Sequence, residues 1–104
     1  MKKLGVLISG GGTNLQALID GCKIGEIKGE IAVVISSKPG VFGLERAAKH
    51  GIPAEFCSNQ VDVLNILNKF QVELVVLAGY LKILDPELIR AFPERIINIH
   101  PSLI

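Results

Sequence analysis

The sequence predicts an α/β fold with a mainly parallel sheet of about five strands and helices on both of its faces. Short apolar runs rich in β-branched residues alternate with longer segments whose apolar residues recur every three or four positions. This alternation is typical of parallel strands joined by right-handed crossover helices. A chain of 104 residues has room for one domain, which is therefore expected to span residues 1–104.

The first quarter of the chain predicts one strand and one helix. Residues 4–8 form a continuous apolar run that ends before three glycines, as a buried parallel strand does. A helix follows, because one helical face would collect four apolar side chains: Leu15, Leu18, Ile19 and Cys22. Thr13 or Asn14 is expected to cap this helix, since either side chain can accept hydrogen bonds from its first free N–H groups.

The rest of the chain repeats the alternation. Further strands are predicted at residues 31–35, 54–57, 74–78 and 95–99, of which 54–57 is a short edge strand. Asp85 and Pro86 form a typical helix start. The other helices are predicted over residues 42–49, which end before Gly51, and over the segment with helically spaced Val63, Ile66, Leu67 and Phe70.

Composition and charge exclude several classes of protein. A formal net charge of +1 gives no strong field toward nucleic acid or an acidic membrane, so neither is expected as a partner. No apolar stretch approaches the roughly 18 residues of a membrane span, and the run after Met1 is too short for a signal peptide. Cys22 and Cys57 lie far apart, which predicts reduced thiols and no metal site. A soluble, cytoplasmic protein is expected.

The glycine loop is the first candidate site. Three glycines at residues 10–12 precede Thr13 and Asn14, between the first strand and the first helix. Glycines allow close backbone approach, and a helix start offers N–H groups and partial positive charge to a phosphate. Leu15 replaces the third glycine of a dinucleotide fingerprint, and no P-loop lysine follows. The loop favours a phosphomonoester over NAD or ATP; a tight turn without a ligand is the alternative.

Asn98 and His100 are the second candidate site. Two positions apart on a strand, they share one face, whereas Ile97 and Ile99 are expected to point into the core. A histidine can transfer a proton near neutral pH, and an amide can donate to an oxygen that gains negative charge. The pair fits a catalytic role, with a structural histidine as the alternative.

The segment at residues 79–84 is the third candidate site. It is apolar after Tyr80 except for Lys82, and it follows the fourth predicted strand. The pattern is compatible with an anchor into the core or with an apolar wall for a flat aromatic cofactor. Ligands of open parallel sheets bind beyond the carboxyl ends of the strands, so the three candidate segments are expected to converge at one sheet edge.

At these residues the sequence resembles the folate-dependent phosphoribosylglycinamide formyltransferases of purine biosynthesis. Four segments carry the resemblance in order along the chain: residues 8–16, 42–47, 77–84 and 98–103. The first is similar to the family's phosphate loop, the third to its folate-side loop and the fourth to its catalytic strand end. The resemblance implies a Rossmann-like, three-layer αβα fold.

The resemblance also implies a reaction and a set of site residues. The co-substrate 10-formyltetrahydrofolate would pass its formyl group to the amino group of glycinamide ribonucleotide, without a metal. The ribose phosphate would be held by Gly12, Thr13 and Asn14. The folate would be bound by Leu81, Lys82, Ile83, Leu84 and Asn98. His100 would be the proton-transfer residue, and Asn98 would stabilise the oxyanion of the tetrahedral intermediate.

The family continues for about as many residues again and supplies an aspartate that orients the histidine. The resemblance therefore implies an amino-terminal half that ends after the catalytic strand and is inactive alone. Self-association through the surface left by the missing half is expected, because Leu103 and Ile104 are hydrophobic. The alternatives are methionyl-tRNA formyltransferase, which the near-neutral charge disfavours, formyltetrahydrofolate deformylase, and a phosphate-binding module without catalysis.

Overall fold

The computed structural model describes residues 1–99 and confirms the α/β fold. Every pairing in the described sheet is parallel, and the strand order is β3-β2-β1-β4-β5. Among the helices of residues 1–99, none is both long and apolar enough to cross a membrane. The elements in chain order are β1 Lys2–Ile8, α1 Thr13–Lys23, β2 Gly29–Ser36, α2 Phe42–Lys49, β3 Ala54–Phe56, α3 Gln60–Lys69, β4 Leu74–Ala78, α4 Pro86–Ala91 and β5 Ile96–Ile99.

Helices cover both faces of the sheet, which gives the three layers. On one face, α1 and α2 pack on the sheet through Leu15, Leu18, Ile19 and Ala47. On the other face, α3 and α4 pack through Val63, Leu67 and Leu88. Strand β1 serves both cores, because successive side chains of a strand point to opposite faces. Each fully buried aliphatic side chain contributes roughly 1.5–3 kcal/mol to folding, so the central strands are held from both sides.

The start of α1 differs from the prediction. Thr13 and Asn14 were expected to cap the helix, but the N-cap is Gly12, with φ 82° and ψ 30° in the left-handed region. No side chain within residues 1–99 accepts a capping hydrogen bond from the start of α1. Glycine adopts this conformation without steric penalty, so α1 begins one or two residues earlier than expected. Thr13 and Asn14 are instead the first two residues of the helix.

Strand β5 corrects a second expectation. Ile97 was predicted to point into the core together with Ile99, yet 48% of Ile97 is exposed. Ile99 does pack against the core that contains α1 and α2. The difference arises because α1 and α2 pack over β2 and β3, toward the opposite end of the sheet from β5. The sequence pattern does not show how far the helices cover the sheet.

Candidate active site

The candidate site lies where the strand order reverses. The chain runs outward from β1 to β2 and β3, then returns to place β4 on the other side of β1. Ligands of such sheets bind at this switch point, in the crevice outside the carboxyl ends of the two strands. The glycine loop follows β1 and the segment 79–84 follows β4, so the structure brings these two predicted segments together.

A cavity of about 160 Å³ opens at the switch point. It is lined by Gly10, Gly11, Gly12, Thr13, Asn14, Ala78 and Gly79. The lining therefore includes all three residues predicted to hold the phosphate, together with the end of β4. Most of the wall is backbone, because most lining residues are glycines. A ligand in this cavity would meet peptide groups and the first residues of α1.

The amino terminus of α1 gives this cavity its electrostatic character. A helix carries partial positive charge at its start, and its first N–H groups lack partners inside the helix. Residues 13–16, the first turn of α1, include no acidic side chain that would neutralise this charge. The site therefore has the features of an anion-binding helix start.

The second loop, residues 79–85, is fixed by polar contacts on both sides. Ser9 Oγ accepts a hydrogen bond from the Leu81 N–H at 2.8 Å and lies 2.6 Å from Ser37 Oγ. Gln60, at the start of α3, donates through Nε2 to the Ile83 carbonyl at 2.6 Å. The Gln60 Oε1 atom accepts from the Asp85 N–H. The backbone of this loop is thus held on one side by Ser9, which directly follows β1, and on the other side by α3.

Four of the five side chains predicted to bind folate lie on this loop, and their environments differ. Leu81 is 75% exposed and Ile83 is 93% exposed. Leu84 instead packs against the core formed with α3 and α4. The Lys82 ammonium donates to the Ser58 carbonyl at 2.7 Å. Leu84 therefore anchors the loop into the core, while Leu81 and Ile83 present exposed apolar surface; their role as a wall for a cofactor stays a prediction.

The predicted catalytic pair is described only in part. Asn98 lies on β5 opposite Leu77 of β4, and its side chain is exposed. Because β4 and β5 are adjacent and parallel, Asn98 lies near the sheet edge that holds the cavity. His100 lies outside the described residues, so its position beside Asn98 stays a prediction.

Tyr80, in the second loop, is a titratable residue whose pKa is shifted by its surroundings. Its hydroxyl is buried, and no group within residues 1–99 forms a hydrogen bond with it. Burial raises the pKa of Tyr80 above its ordinary value of 10.0, and Cys57 and Asp85 add to the effect. The phenol therefore stays protonated at neutral pH, in contact with the core of α3 and α4. The described residues contain no cluster of three or more metal-ligating side chains.

Sequence reasoning assigned no loop-holding role to four residues: Ser9, Ser37, Gln60 and Arg46. The Arg46 Nε–H donates to the Gly11 carbonyl at 2.8 Å. The contacts of these four residues join positions 23 to 72 residues apart, so no local spacing rule indicates them. A weak signal existed for the two serines. Each is a buried polar residue just at the end of an apolar parallel strand, where a hydroxyl needs a partner.

The fold and the site define a Rossmann-like α/β domain whose glycine loop and second loop meet at the switch point of the sheet. The chain belongs to the formyl transferase family, whose model matches residues 2–104. This membership confirms the resemblance that the motifs indicated.

Individual relatives agree with this membership. The chain is 47% identical over 113 residues to the phosphoribosylglycinamide formyltransferase of Haemophilus influenzae, covering 100% of this chain and 53% of that protein. Glycinamide ribonucleotide transformylase 1 from Symbiobacterium toebii matches with a TM-score of 0.91 and 44% identity, covering 100% of this chain and 53% of that one. A formyltetrahydrofolate deformylase from Burkholderia mallei matches with a TM-score of 0.86 and 29% identity, covering 95% and 37%. The chain thus spans about half the length of the first two.

Proposed function

We propose that this chain is the amino-terminal half of an enzyme that transfers the formyl group of 10-formyltetrahydrofolate to the amino group of glycinamide ribonucleotide in purine biosynthesis. The observation that carries the proposal is the cavity at residues 10–14, which lies beside the loop at residues 79–85. A phosphorylated acceptor and a flat, apolar donor require two such surfaces side by side. The name of the Haemophilus influenzae relative, phosphoribosylglycinamide formyltransferase, supports the same assignment.

The acceptor binds through its phosphate. In the proposal, Gly12, Thr13 and Asn14 supply backbone N–H groups and short polar side chains at the start of α1. The helix dipole favours an anion at this end by typically 0.3–1 kcal/mol, in addition to the hydrogen bonds. The amino group of the acceptor would then extend along the carboxyl edge of the sheet, toward β4 and β5.

The donor binds against the second loop. Leu81 and Ile83 would form the apolar wall for its pterin ring, since both are largely exposed. Lys82 and Leu84 would keep the wall in place through Ser58 and the core. Covering apolar surface stabilises binding by roughly 25 cal/mol per Å². Because the loop backbone is already hydrogen-bonded, little ordering free energy opposes this step.

The chemistry requires one proton relay and one oxyanion donor. The acceptor amine attacks the formyl carbon, which forms a C–N bond and places negative charge on the formyl oxygen. In the proposal Asn98 donates to this oxygen, and His100 takes the proton that the amine loses. The bond between the formyl carbon and the folate nitrogen then breaks, and that nitrogen gains the proton. An imidazole suits this relay because its reference pKa is about 6.5.

We place the protein in the cytoplasm, a reducing compartment, which fits the two free thiols Cys22 and Cys57. A net charge of +1 supplies little attraction for nucleic acid or an acidic membrane, so neither is included as a partner. The aspartate that orients His100 would come from the part of the enzyme beyond this chain.

Calorimetric titration with glycinamide ribonucleotide and with its dephosphorylated nucleoside tests the acceptor assignment. Binding of the ribonucleotide that inorganic phosphate competes away, with much weaker binding of the nucleoside, is the expected result. Equal affinity for both compounds, or no binding of either, contradicts it. A deformylase would use water as the acceptor, so release of free formate without any need for the ribonucleotide would favour that alternative.

A further inference from the structure

Helix α2 packs directly on the glycine loop, on the side away from the cavity. A Cβ atom built on Gly12 would lie 2.9 Å from the Gly43 Cα atom. A Cβ atom on Gly43 would lie 2.8 Å from the Gly10 carbonyl oxygen and would also clash with the Ile8 side chain. Neither position has room for a side chain. The start of α2 is therefore in backbone contact with the loop.

Two groups of α2 hold consecutive carbonyls of the loop. The Gly43 N–H donates to the Gly10 carbonyl at 3.2 Å. The Arg46 Nε–H donates to the Gly11 carbonyl at 2.8 Å. The next carbonyl, of Gly12, accepts the first hydrogen bond of α1, from Gln16 at 2.8 Å. Three successive peptide groups are thus fixed by their oxygens.

Fixing the oxygens also fixes the direction of the donors. In a trans peptide the N–H points opposite to the preceding C=O, because both belong to one planar unit. The N–H groups of Gly11 and Gly12 are therefore turned away from α2. Helix α2 packs over β2 and β3, whereas the cavity extends to the end of β4, on the other side of β1. The contacts with α2 thus orient loop N–H groups toward the cavity.

Arg46 is itself held in place. Its Nη1 atom donates to Gln16 Oε1 at 3.2 Å, and its guanidinium lies 4.7 Å from the centroid of the Phe42 ring. The planar guanidinium allows the Nε and Nη1 donors to serve two acceptors at once. A lysine has one ammonium group and cannot reproduce this fork.

We propose that Arg46 is a positioning residue for the phosphate loop: it holds the Gly11 carbonyl so that the following N–H faces the ligand. This inference rests on the proposed phosphate site. It assigns no contact between Arg46 and the substrate. The guanidinium acts from behind the loop, and it also adds positive charge close to the bound anion.

Calorimetry with glycinamide ribonucleotide tests this role in three variants of the chain. Arg46→Ala should raise the dissociation constant of the ribonucleotide about tenfold, because the released Gly11 peptide must be ordered when the ligand binds and ordering one residue's backbone costs about this much. Arg46→Lys keeps the positive charge but loses the forked donor pair. Its dissociation constant should lie between those of the unaltered chain and Arg46→Ala. Lys49→Ala is the control, because Lys49 lies on the same helix and near the same Phe42 ring, where the ammonium is 6.0 Å from the centroid. Its affinity should match that of the unaltered chain.

Amide hydrogen exchange provides a readout that does not depend on ligand binding. Exchange at Gly43 and Gln16, whose N–H groups donate to the Gly10 and Gly12 carbonyls of the loop, should be faster in Arg46→Ala than in Lys49→Ala, while exchange in β1 and β4 stays the same. Faster exchange throughout the protein would show a general loss of stability and would overturn the positioning role.

The outcomes separate the two proposals. If the unaltered chain does not bind the ribonucleotide, the proposed phosphate site is wrong and the role of Arg46 falls with it. If the unaltered chain binds the ribonucleotide, and Arg46→Ala and Arg46→Lys bind it with the same affinity as the unaltered chain, only the role of Arg46 is overturned. If Arg46→Ala does not fold, the Arg46→Lys variant decides: full affinity contradicts the role and reduced affinity supports it.

Discussion

The hydroxyl of Ser9, at the end of β1, accepts a hydrogen bond from the N–H of Leu81, which lies 72 positions later in the chain, at 2.8 Å. Ser9 is 4% exposed, and its Oγ atom also lies 2.6 Å from Ser37 Oγ at the end of β2. One buried hydroxyl therefore connects the strand that precedes the glycine loop, the end of a second strand, and the loop that presents Leu81 and Ile83. The two halves of the candidate site are not independent.

Replacing Ser9 with alanine should destabilise the second loop. The change leaves the Leu81 N–H and the Ser37 hydroxyl without the Ser9 partner, and a buried unpaired polar group typically costs about 1–3 kcal/mol. Urea unfolding should report a loss of this size, and exchange of the Leu81 amide should become faster. Ser58→Ala is the control, because Ser58 is exposed and contacts Lys82 through its backbone carbonyl. An unchanged Leu81 exchange rate in Ser9→Ala would contradict this coupling.

Replacing Gly11 with alanine should weaken ribonucleotide binding without reducing stability. A Cβ atom at Gly11 meets no described atom within 4 Å, and Gly11 does not have a positive φ. Gly12 is a less suitable site, since Gly12→Val introduces strain at φ 82° and a clash with Gly43. Calorimetry should show a raised dissociation constant for Gly11→Ala while the thermal midpoint is unchanged. Equal affinity of Gly11→Ala and the unaltered chain would argue against close backbone approach at this residue.

Replacing Tyr80 with phenylalanine should protect the protein at alkaline pH. The pKa of Tyr80 is raised in the folded state, so the folded protein keeps the phenolic proton to a higher pH than the unfolded chain. The neutral phenol therefore supports folding below a pH of about 10, and this contribution is lost as the pH rises further. Urea unfolding measured between about pH 9 and 11 should show that the free energy of unfolding falls more for the unaltered chain than for Tyr80→Phe.

Tyr80 is the single tyrosine of the sequence, so tyrosinate absorbance follows its ionisation directly. The midpoint in the folded protein should lie above that of the urea-unfolded chain. Coinciding midpoints, together with parallel stability curves for the two proteins, would refute the buried environment of the hydroxyl. At neutral pH the variant should be at least as stable, because it removes a buried hydroxyl that has no partner within residues 1–99.

The isolated chain should self-associate through the edge at β5. This strand pairs only with β4 in the described sheet, and Ile97 is 48% exposed on it. Open strand edges with apolar side chains are templates for pairing with another chain. Light scattering should show an average mass that rises with concentration, and Ile97→Lys should lower it. Ile24→Lys, at an exposed position after α1, is the control. A monomer at every concentration would contradict the prediction.

The elements of the fold could be predicted because each has a local signature. Apolar runs such as residues 74–78 mark buried strands, and Asp85-Pro86 marks a helix start that the structure confirms. Two details depend on context that the local pattern lacks. The left-handed Gly12 takes the cap position expected for Thr13 or Asn14. Ile97 is exposed because α1 and α2 pack toward the opposite end of the sheet, which alternation alone does not reveal.

The candidate site could be predicted as a set of segments but not as a set of contacts. The motif after β1 and the motif after β4 each end a buried strand, and parallel topology brings those ends together. The contacts of Arg46 with Gly11 and of Ser9 with Leu81 depend on tertiary packing between distant parts of the chain. The mixed environment of Leu81, Ile83 and Leu84 likewise depends on where the core ends.

The most direct test of the proposed enzyme is formyl transfer to glycinamide ribonucleotide, measured with His100 intact and as His100→Ala. The carboxyl-terminal half of the Haemophilus influenzae relative is supplied in trans. The proposal predicts transfer only when both halves are present. It also predicts that His100→Ala lowers turnover about 10²–10⁴-fold, the usual contribution of general acid–base catalysis, while ribonucleotide affinity is retained. Transfer at full rate by this chain alone, or normal turnover by His100→Ala with both halves present, would contradict it.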